Sequence, residues 1–282
     1  MALLLDQRAN RMIQITSEAV VMICRSFDSE IVKLLLDRRD DQLQMTSEAV
    51  VAICGNFDSE IAKLLLDRRG DQIRVTEDVV KAIASNRGNG KEVMALLLDR
   101  QGDQIQMTSE AVVMIFGNFD LEVVKLLLDR HGDRIRATEG VLRAAASNER
   151  NGKEVMALLL DRRGDQIHAT EDVVKAAASN WGNGKEVMTL LLDQRGDQVQ
   201  ITENVVKAAA SNRGNGKEVM ALLLDRRGYQ IPITDDVVKA AAGNSRVLTQ
   251  LLDRQGQIKR RQPPSPVELQ TRFSPSKRTR NH

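Results

Sequence analysis

Residues 76–100 read TEDVVKAIASNRGNGKEVMALLLDR, and close variants of this stretch recur along most of the chain. Apolar residues at the 3.6-residue helical period follow Thr76, and a second apolar run follows Lys91. Threonine is a favourable helix N-cap, and the Asn and Gly residues between the two runs favour a turn. The stretch predicts a helix-turn-helix unit, whose second helix we expect to end at Gly102 in a left-handed conformation.

The capping threonine recurs every 30 or 32 residues and defines eight repeats. Repeats 1 to 8 begin at Thr16, Thr46, Thr76, Thr108, Thr138, Thr170, Thr202 and Thr234. Units of this length bury their apolar faces only against their neighbours, so they stack into a solenoid. The sequence predicts an all-α solenoid over residues 1–256, with short extended connectors between the helix pairs. We expect a truncated first repeat, a last repeat shortened as a cap, and further repeats upstream, because residues 1–6 match residues 94–99 in the middle of a second helix.

Three repeats differ from the others in their turn. Repeats 1, 2 and 4 span 30 residues and carry Phe-Asp where the longer repeats carry an Asn- and Gly-rich loop. The aspartate predicts an N-cap for the second helix, and the phenylalanine before it has the spacing of a hydrophobic staple. The staple favours packed side chains for Phe27, Phe57 and Phe119, and the alternative is an exposed aromatic rim that binds a partner.

One position varies while the residues around it hardly change. It lies eleven residues after each threonine, and a variable position on a constant scaffold can carry binding specificity at little cost in stability. Trp181 is the strongest candidate for partner contact, because it lies in a Gly-rich loop where no staple can form. The full set of candidates is Phe27, Phe57, Arg87, Phe119, Glu149, Trp181 and Arg213.

The C-terminal 26 residues, 257–282, differ in composition from the repeats. They contain seven basic residues, one acidic residue and four of the five prolines, and they have few aliphatic residues to bury. We therefore expect a basic disordered tail, which either keeps the chain in solution or acts as a nuclear-import signal. The two basic clusters that would form the signal are Lys259, Arg260 and Arg261, and Lys277, Arg278 and Arg280.

Composition argues against several classes of function. Aromatic residues make up 2% of the chain, too few for stacking platforms that bind sugars or nucleobases. Two cysteines, Cys24 and Cys54, cannot form a structural zinc site, and none of the three histidines has a second ligand at suitable spacing. We expect no catalytic activity, no cofactor and no metal. Because no apolar run approaches the roughly 18 residues of a membrane helix, we expect a protein of the cytoplasm or the nucleus.

Arginine pairs follow the aspartate that ends several second helices, as at Arg68-Arg69, Arg162-Arg163 and Arg226-Arg227. Stacked repeats would align these pairs into an arginine ladder. One interpretation is that the cations lie at helix ends and interleave with neighbouring aspartates. The alternative is a basic strip that, together with the tail, binds nucleic acid or another polyanion.

Residues 117–129 read GNFDLEVVKLLLD, which resembles the second half of an ankyrin repeat, and residues 171–178 read EDVVKAAA. The second run is similar to divergent ankyrin-like arrays of fungal proteins, often found downstream of a NACHT module in NLR-like proteins. The resemblance covers about residues 1–256, although the Thr-Pro-Leu-His start of an ankyrin repeat is absent. It implies a recognition or scaffolding arm that binds a macromolecular partner, most simply a protein.

Overall fold

A computed structural model describes residues 15–39, 43–70, 73–86, 88–101, 105, 108–228 and 230–261. Within these ranges the chain forms sixteen α-helices and no strands, which confirms the all-α prediction. Each repeat contributes two consecutive helices, and where the structure describes the connector, non-helical backbone precedes the capping threonine; in repeats 4 and 5 a short 3-10 helix, Gly132–Arg134 or Gly164–Gln166, comes before that backbone. In repeats 1 and 2 these connectors lie in parallel, with one backbone bridge between Ile15 and Leu43.

The helices alternate between two layers. The first helices of repeats 1 to 8 are α1 (Ser17–Ser26), α3 (Ser47–Asn56), α5 (Glu77–Ser85), α7 (Ser109–Asn118), α9 (Glu139–Ser147), α11 (Glu171–Ser179), α13 (Glu203–Ser211) and α15 (Asp235–Ala241). The second helices are α2 (Ser29–Arg39), α4 (Ser59–Arg69), α6 (Gly90–Gln101), α8 (Leu121–His131), α10 (Gly152–Arg163), α12 (Gly184–Arg195), α14 (Gly216–Arg227) and α16 (Ser245–Arg261).

The predicted cap residues precede these helices, and several of them make the expected side-chain bond, whereas Thr46, Thr76 and Thr170 do not. The hydroxyl oxygen of Thr108 accepts a hydrogen bond of 3.1 Å from the Ala111 amide. In the short repeats the aspartate caps the second helix as expected, since the Asp58 carboxylate accepts from the amides of Glu60 and Ile61, both at 3.1 Å. Each such bond satisfies an amide that has no partner within its own helix.

The core is aliphatic and continuous along the stack. First helices pack on first helices, where Ala177 and Ala178 are fully buried, and second helices pack on second helices through Leu, Met and Val side chains such as Met188 and Leu191. The small alanines let adjacent first helices contact each other more extensively than adjacent second helices do. Because each repeat buries its apolar side chains against its neighbours, the stack has the organisation of a solenoid.

The second helices do not end in a left-handed glycine. Gly102 lies outside the described residues, and its counterparts Gly132, Gly164 and Gly196 have right-handed helical angles. The carbonyl oxygen of Gly196 instead accepts a hydrogen bond of 2.8 Å from the guanidinium of Arg227, one repeat further along. The neighbouring repeat therefore supplies a hydrogen bond to the carbonyl at the end of this helix.

The last helix, α16, continues to Arg261 and so passes the predicted boundary at residue 256. Gly256 lies inside it, where a glycine costs roughly 1 kcal/mol relative to alanine. The five residues that follow are good helix formers without a proline, and cations near a helix C-terminus are favourable. Lys259, Arg260 and Arg261 therefore belong to this helix, while Lys277, Arg278 and Arg280 lie outside the described residues.

Candidate functional site

An asparagine follows the first helix of each long repeat as its C-cap. These residues are Asn86, Asn148, Asn180 and Asn212. The last three are only 2–3% exposed. A buried amide is stable only when both its donor and its acceptor are satisfied, so the partners of these side chains determine how the repeats are held together.

Each of these asparagines bonds to its own turn and to the preceding repeat. The Asn180 amide nitrogen donates to the carbonyls of Ala146, at 2.8 Å, and Asn148, at 3.1 Å. Its amide oxygen accepts from the backbone amides of Gly182, at 2.9 Å, and Asn183, at 3.0 Å. The side chain thus fixes the loop of one repeat and joins it to the repeat before. Sequence reasoning missed this role, although an asparagine ten residues after the threonine in every long repeat was a visible signal.

The loops of consecutive long repeats lie directly on one another. A β-carbon added to Gly182 would lie 1.9 Å from the Glu149 carbonyl oxygen, and one added to Gly214 would lie 2.8 Å from that of Trp181. The Asn183 side chain also donates to the Glu149 carbonyl at 2.8 Å. These contacts are too close for any residue but glycine, so they hold the loops of repeats 5, 6 and 7 in a fixed stack.

Three of the predicted contact residues lie on this stack. Glu149, Trp181 and Arg213 are exposed at equivalent positions of successive loops, and we call them the loop column. The Trp181 side chain is 56% exposed. Tryptophan is enriched among the residues that contribute most to binding at protein interfaces, which makes Trp181 a candidate contact. Arg87, the fourth candidate from a long repeat, lies outside the described residues.

The candidate phenylalanines do not join the loop column. Phe57 and Phe119 are 7% and 5% exposed, as the staple interpretation expects, whereas Phe27 is 42% exposed. The Phe57 carbonyl accepts a hydrogen bond from the Asn86 side chain, and the Phe119 carbonyl accepts one from the Asn148 side chain, both at 2.9 Å. The Asn148 carbonyl accepts from the Asn180 side chain in the same way. Phe57 and Phe119 therefore occupy the place of the buried asparagine of a long repeat. Counting from the threonine had instead aligned them with the exposed residues.

The arginine ladder is paired with aspartates. Arg100 bonds to Asp67 at 3.1 Å, Arg130 to Asp99 at 2.7 Å and Arg162 to Asp129 at 2.7 Å, each between adjacent repeats. Two further pairs, Arg68 with Asp37 and Arg226 with Asp193, follow the same pattern at 3.3 and 3.1 Å. This geometry supports the interpretation as interleaved helix-end cations. In two of the pairs the second arginine bonds instead to a glycine carbonyl of the preceding repeat, Arg163 to Gly132 and Arg227 to Gly196, so only the first arginine of these pairs is offset by a carboxylate.

The remaining chemical groups in the described ranges are buried or scattered. Burial raises the pKa of the Cys24 thiol to about 11 and that of Cys54 to about 12. His131 is 3% exposed within the second-helix layer. No group of three or more His, Cys, Asp or Glu side chains that could hold a metal ion occurs among the described residues. Nor does any helix in those ranges have the length and apolarity to cross a membrane.

These features define an α-helical repeat array with a constant core and variable loops. The chain belongs to the family described as Domain of unknown function (DUF7104), whose model matches it repeatedly and over more than half of its length. The matched segments are residues 34–59, 64–94, 96–114, 126–156, 158–188, 190–220 and 222–247. No curated protein and no solved structure matches the chain.

Proposed function

We propose that the chain is a non-catalytic module that binds a partner protein through the loop column. The observation that carries this proposal is the exposed side chain of Trp181, the only tryptophan of the sequence, on a loop fixed by Asn180 and Gly182. A loop that is already ordered loses little conformational entropy when it binds, and an exposed aromatic side chain contributes a large contact area.

The composition of the loop column suits a protein surface. An acid, an aromatic and a base lie one repeat apart, at Glu149, Trp181 and Arg213. Tryptophan and arginine are the residue types enriched among those that dominate protein interfaces. We further propose, from the resemblance to ankyrin-like arrays, that the module is the recognition arm of a larger NLR-like or ankyrin-type protein in the cytoplasm or nucleus.

Partner capture by loop-column variants tests this proposal. The intact chain is used as bait, and proteins that it enriches are compared with those enriched by a Trp181→Ala, Arg213→Ala double variant. A Lys185→Ala variant is the matched control, because Lys185 is exposed in the first turn of α12, directly after the loop of Trp181, but lies outside the loop column. We expect the double variant to lose specific partners at an unchanged unfolding midpoint. Equal capture by all three chains would contradict the proposal.

A further inference from the structure

The difference in repeat length opens a cleft at repeat 4. The turn of repeat 4 has two residues between its helices, at residues 119–120, whereas the turns of repeats 3 and 5 have four. Where two long repeats adjoin, the loop of one repeat packs directly against the loop of the next. Here the loops of repeats 3 and 5 instead enclose a cleft of about 610 Å³, lined by residues of α5, α6 and the turns of repeats 4 and 5. Its volume lies within the range of ligand-binding pockets.

Repeats 6 and 7 each make a side-chain hydrogen bond to the preceding loop that repeat 5, beside the cleft, does not make. Asn183 and Asn215 donate their side-chain amides to carbonyls of the preceding loop, at 2.8 Å to Glu149 and at 3.5 Å to Gly182. Asn151 is the equivalent residue of repeat 5, but the preceding loop is too short to reach it. Its side chain makes no hydrogen bond with any residue that the structure describes.

The sequence of repeat 5 is consistent with an open cleft. The position before Asn151 is Arg150, whereas repeats 6 and 7 have Gly182 and Gly214 there because a loop lies directly against them. An arginine is accommodated in repeat 5 because no such loop adjoins it. Arg150 is exposed and forms no ion pair with a described residue.

On the opposite wall of the cleft, the positive charge of Lys91 is already paired with carboxylates. The Lys91 ammonium bonds to the carboxylates of Asp120, at 2.7 Å, and Glu122, at 2.9 Å, and these bonds raise the pKa of Lys91. Lys91 is therefore held as the cation of this cluster and is a poor anchor for an anion. Besides the carboxylates of Glu92 and Glu149, which also line the cleft, the donors of Asn151 and Arg150 remain for a ligand, and these donors suit carbonyl oxygens.

We propose that this cleft binds a short turn segment of a partner polypeptide, seated as the missing loop of repeat 4 would be. The segment would present a backbone carbonyl to Asn151 and small residues, above all glycine, to the walls. These are the features by which loops of this array already fit against each other. The proposal rests on the proposed function in taking the ligand to be a protein, but it concerns a different set of contacts from those of Trp181.

A labelled peptide that copies residues 210–218 is the probe, since this loop lies against another loop in the array. We expect saturable binding of the peptide to the intact chain by fluorescence polarisation, with a scrambled peptide as the control. An Asn151→Ala variant should weaken binding about fivefold, the effect of one lost hydrogen bond. Absence of saturable binding, or equal binding of the scrambled peptide, overturns the proposal.

A loop graft provides the decisive comparison. In this variant residues 118–121 are replaced by the six residues of positions 212–217, which gives repeat 4 a long loop and fills the cleft. We expect the graft to fold with an unfolding midpoint no lower than that of the native chain and to lose the peptide. Native affinity in the folded graft would refute the site. A Trp181→Ala variant should keep the peptide even if it loses a partner, so the two proposals fail separately.

Discussion

Replacing Asn180 with alanine should destabilise the array far more than the same change at an exposed asparagine. The Asn180 side chain makes four hydrogen bonds to backbone groups and is 3% exposed. Removing it leaves two carbonyls and two amides without these partners. Because a typical hydrogen bond contributes about 1 kcal/mol net, and water can reach part of the loop, we expect a loss of about 2–4 kcal/mol in the free energy of unfolding.

Asn118 provides the matched control. It also lies ten residues after its threonine, but it is exposed and bonds only to the Met114 carbonyl of its own helix, at 2.9 Å. Asn118→Ala should therefore change stability by less than about 0.5 kcal/mol. Urea unfolding would be followed by circular dichroism for the whole array and by Trp181 fluorescence for the loop beside Asn180.

Two spectroscopic probes are needed because repeat arrays do not always unfold in a single step. If the Trp181 signal changes before the helical signal in Asn180→Ala, the lost bonds act on the local loop, and the local transition supplies the free energy. Equal midpoints for the Asn180 and Asn118 variants would refute the structural role that we assign to the buried asparagines.

Three further predictions concern other parts of the chain. Gly182→Ala should lower the free energy of unfolding by roughly 1–3 kcal/mol, because its β-carbon would lie 1.9 Å from a carbonyl oxygen. Gly88→Ala should be tolerated, because no atom would lie closer than 4.0 Å to its β-carbon. Thermal unfolding of both variants checks this prediction. The Cys54 thiol, with its pKa raised by burial to about 12, should resist Ellman's reagent at pH 8 until urea unfolds the chain, and rapid labelling of the folded protein would count against its burial. The hydrogen bond from Lys81, at 2.6 Å, lowers the pKa of Glu77. This pair therefore stabilises the fold above the ordinary pH range of carboxyl titration, and the stabilisation is lost as the pH falls through the lowered pKa. Lys81→Met should flatten this part of the profile of stability against pH between neutral and acidic pH.

The sequence predicted the helices, their order and the caps, because these depend on local signals. The threonines, the apolar period and the Asp caps of the short repeats act within a few residues, and the structure places them where expected, although the side chains of Thr46, Thr76 and Thr170 make no cap hydrogen bond. The helix ends are different. The Gly196 carbonyl is bonded by Arg227, which lies 31 residues away in sequence and reaches it only after the repeats have stacked, so no local signal indicates this bond.

The candidate site was predicted only in part, for a reason of the same kind. Trp181 and Arg213 are exposed as expected, but Phe119 is buried because α7 extends one residue further from its threonine than α9 does, which places Phe119 at the C-cap position that Asn148 holds in repeat 5. A count from the threonine cannot place such a difference. The hydrogen bond from Asn148 to the Phe119 carbonyl does so, since it shows which residue of a short repeat replaces the buried asparagine of a long one.

Repeat length also determines which residues the next repeat can carry. A long repeat places a loop carbonyl against its successor, which then requires glycine, as at Gly182 and Gly214. After the short repeat 4 that constraint is absent, so Arg150 can occupy the same position and the Asn151 amide is left unbonded within the described chain. A perfectly regular array would satisfy every such group internally. The short repeat 4 therefore leaves donors of repeat 5 unpaired among the described residues, and this is where a partner's polypeptide can form bonds that the array itself does not make.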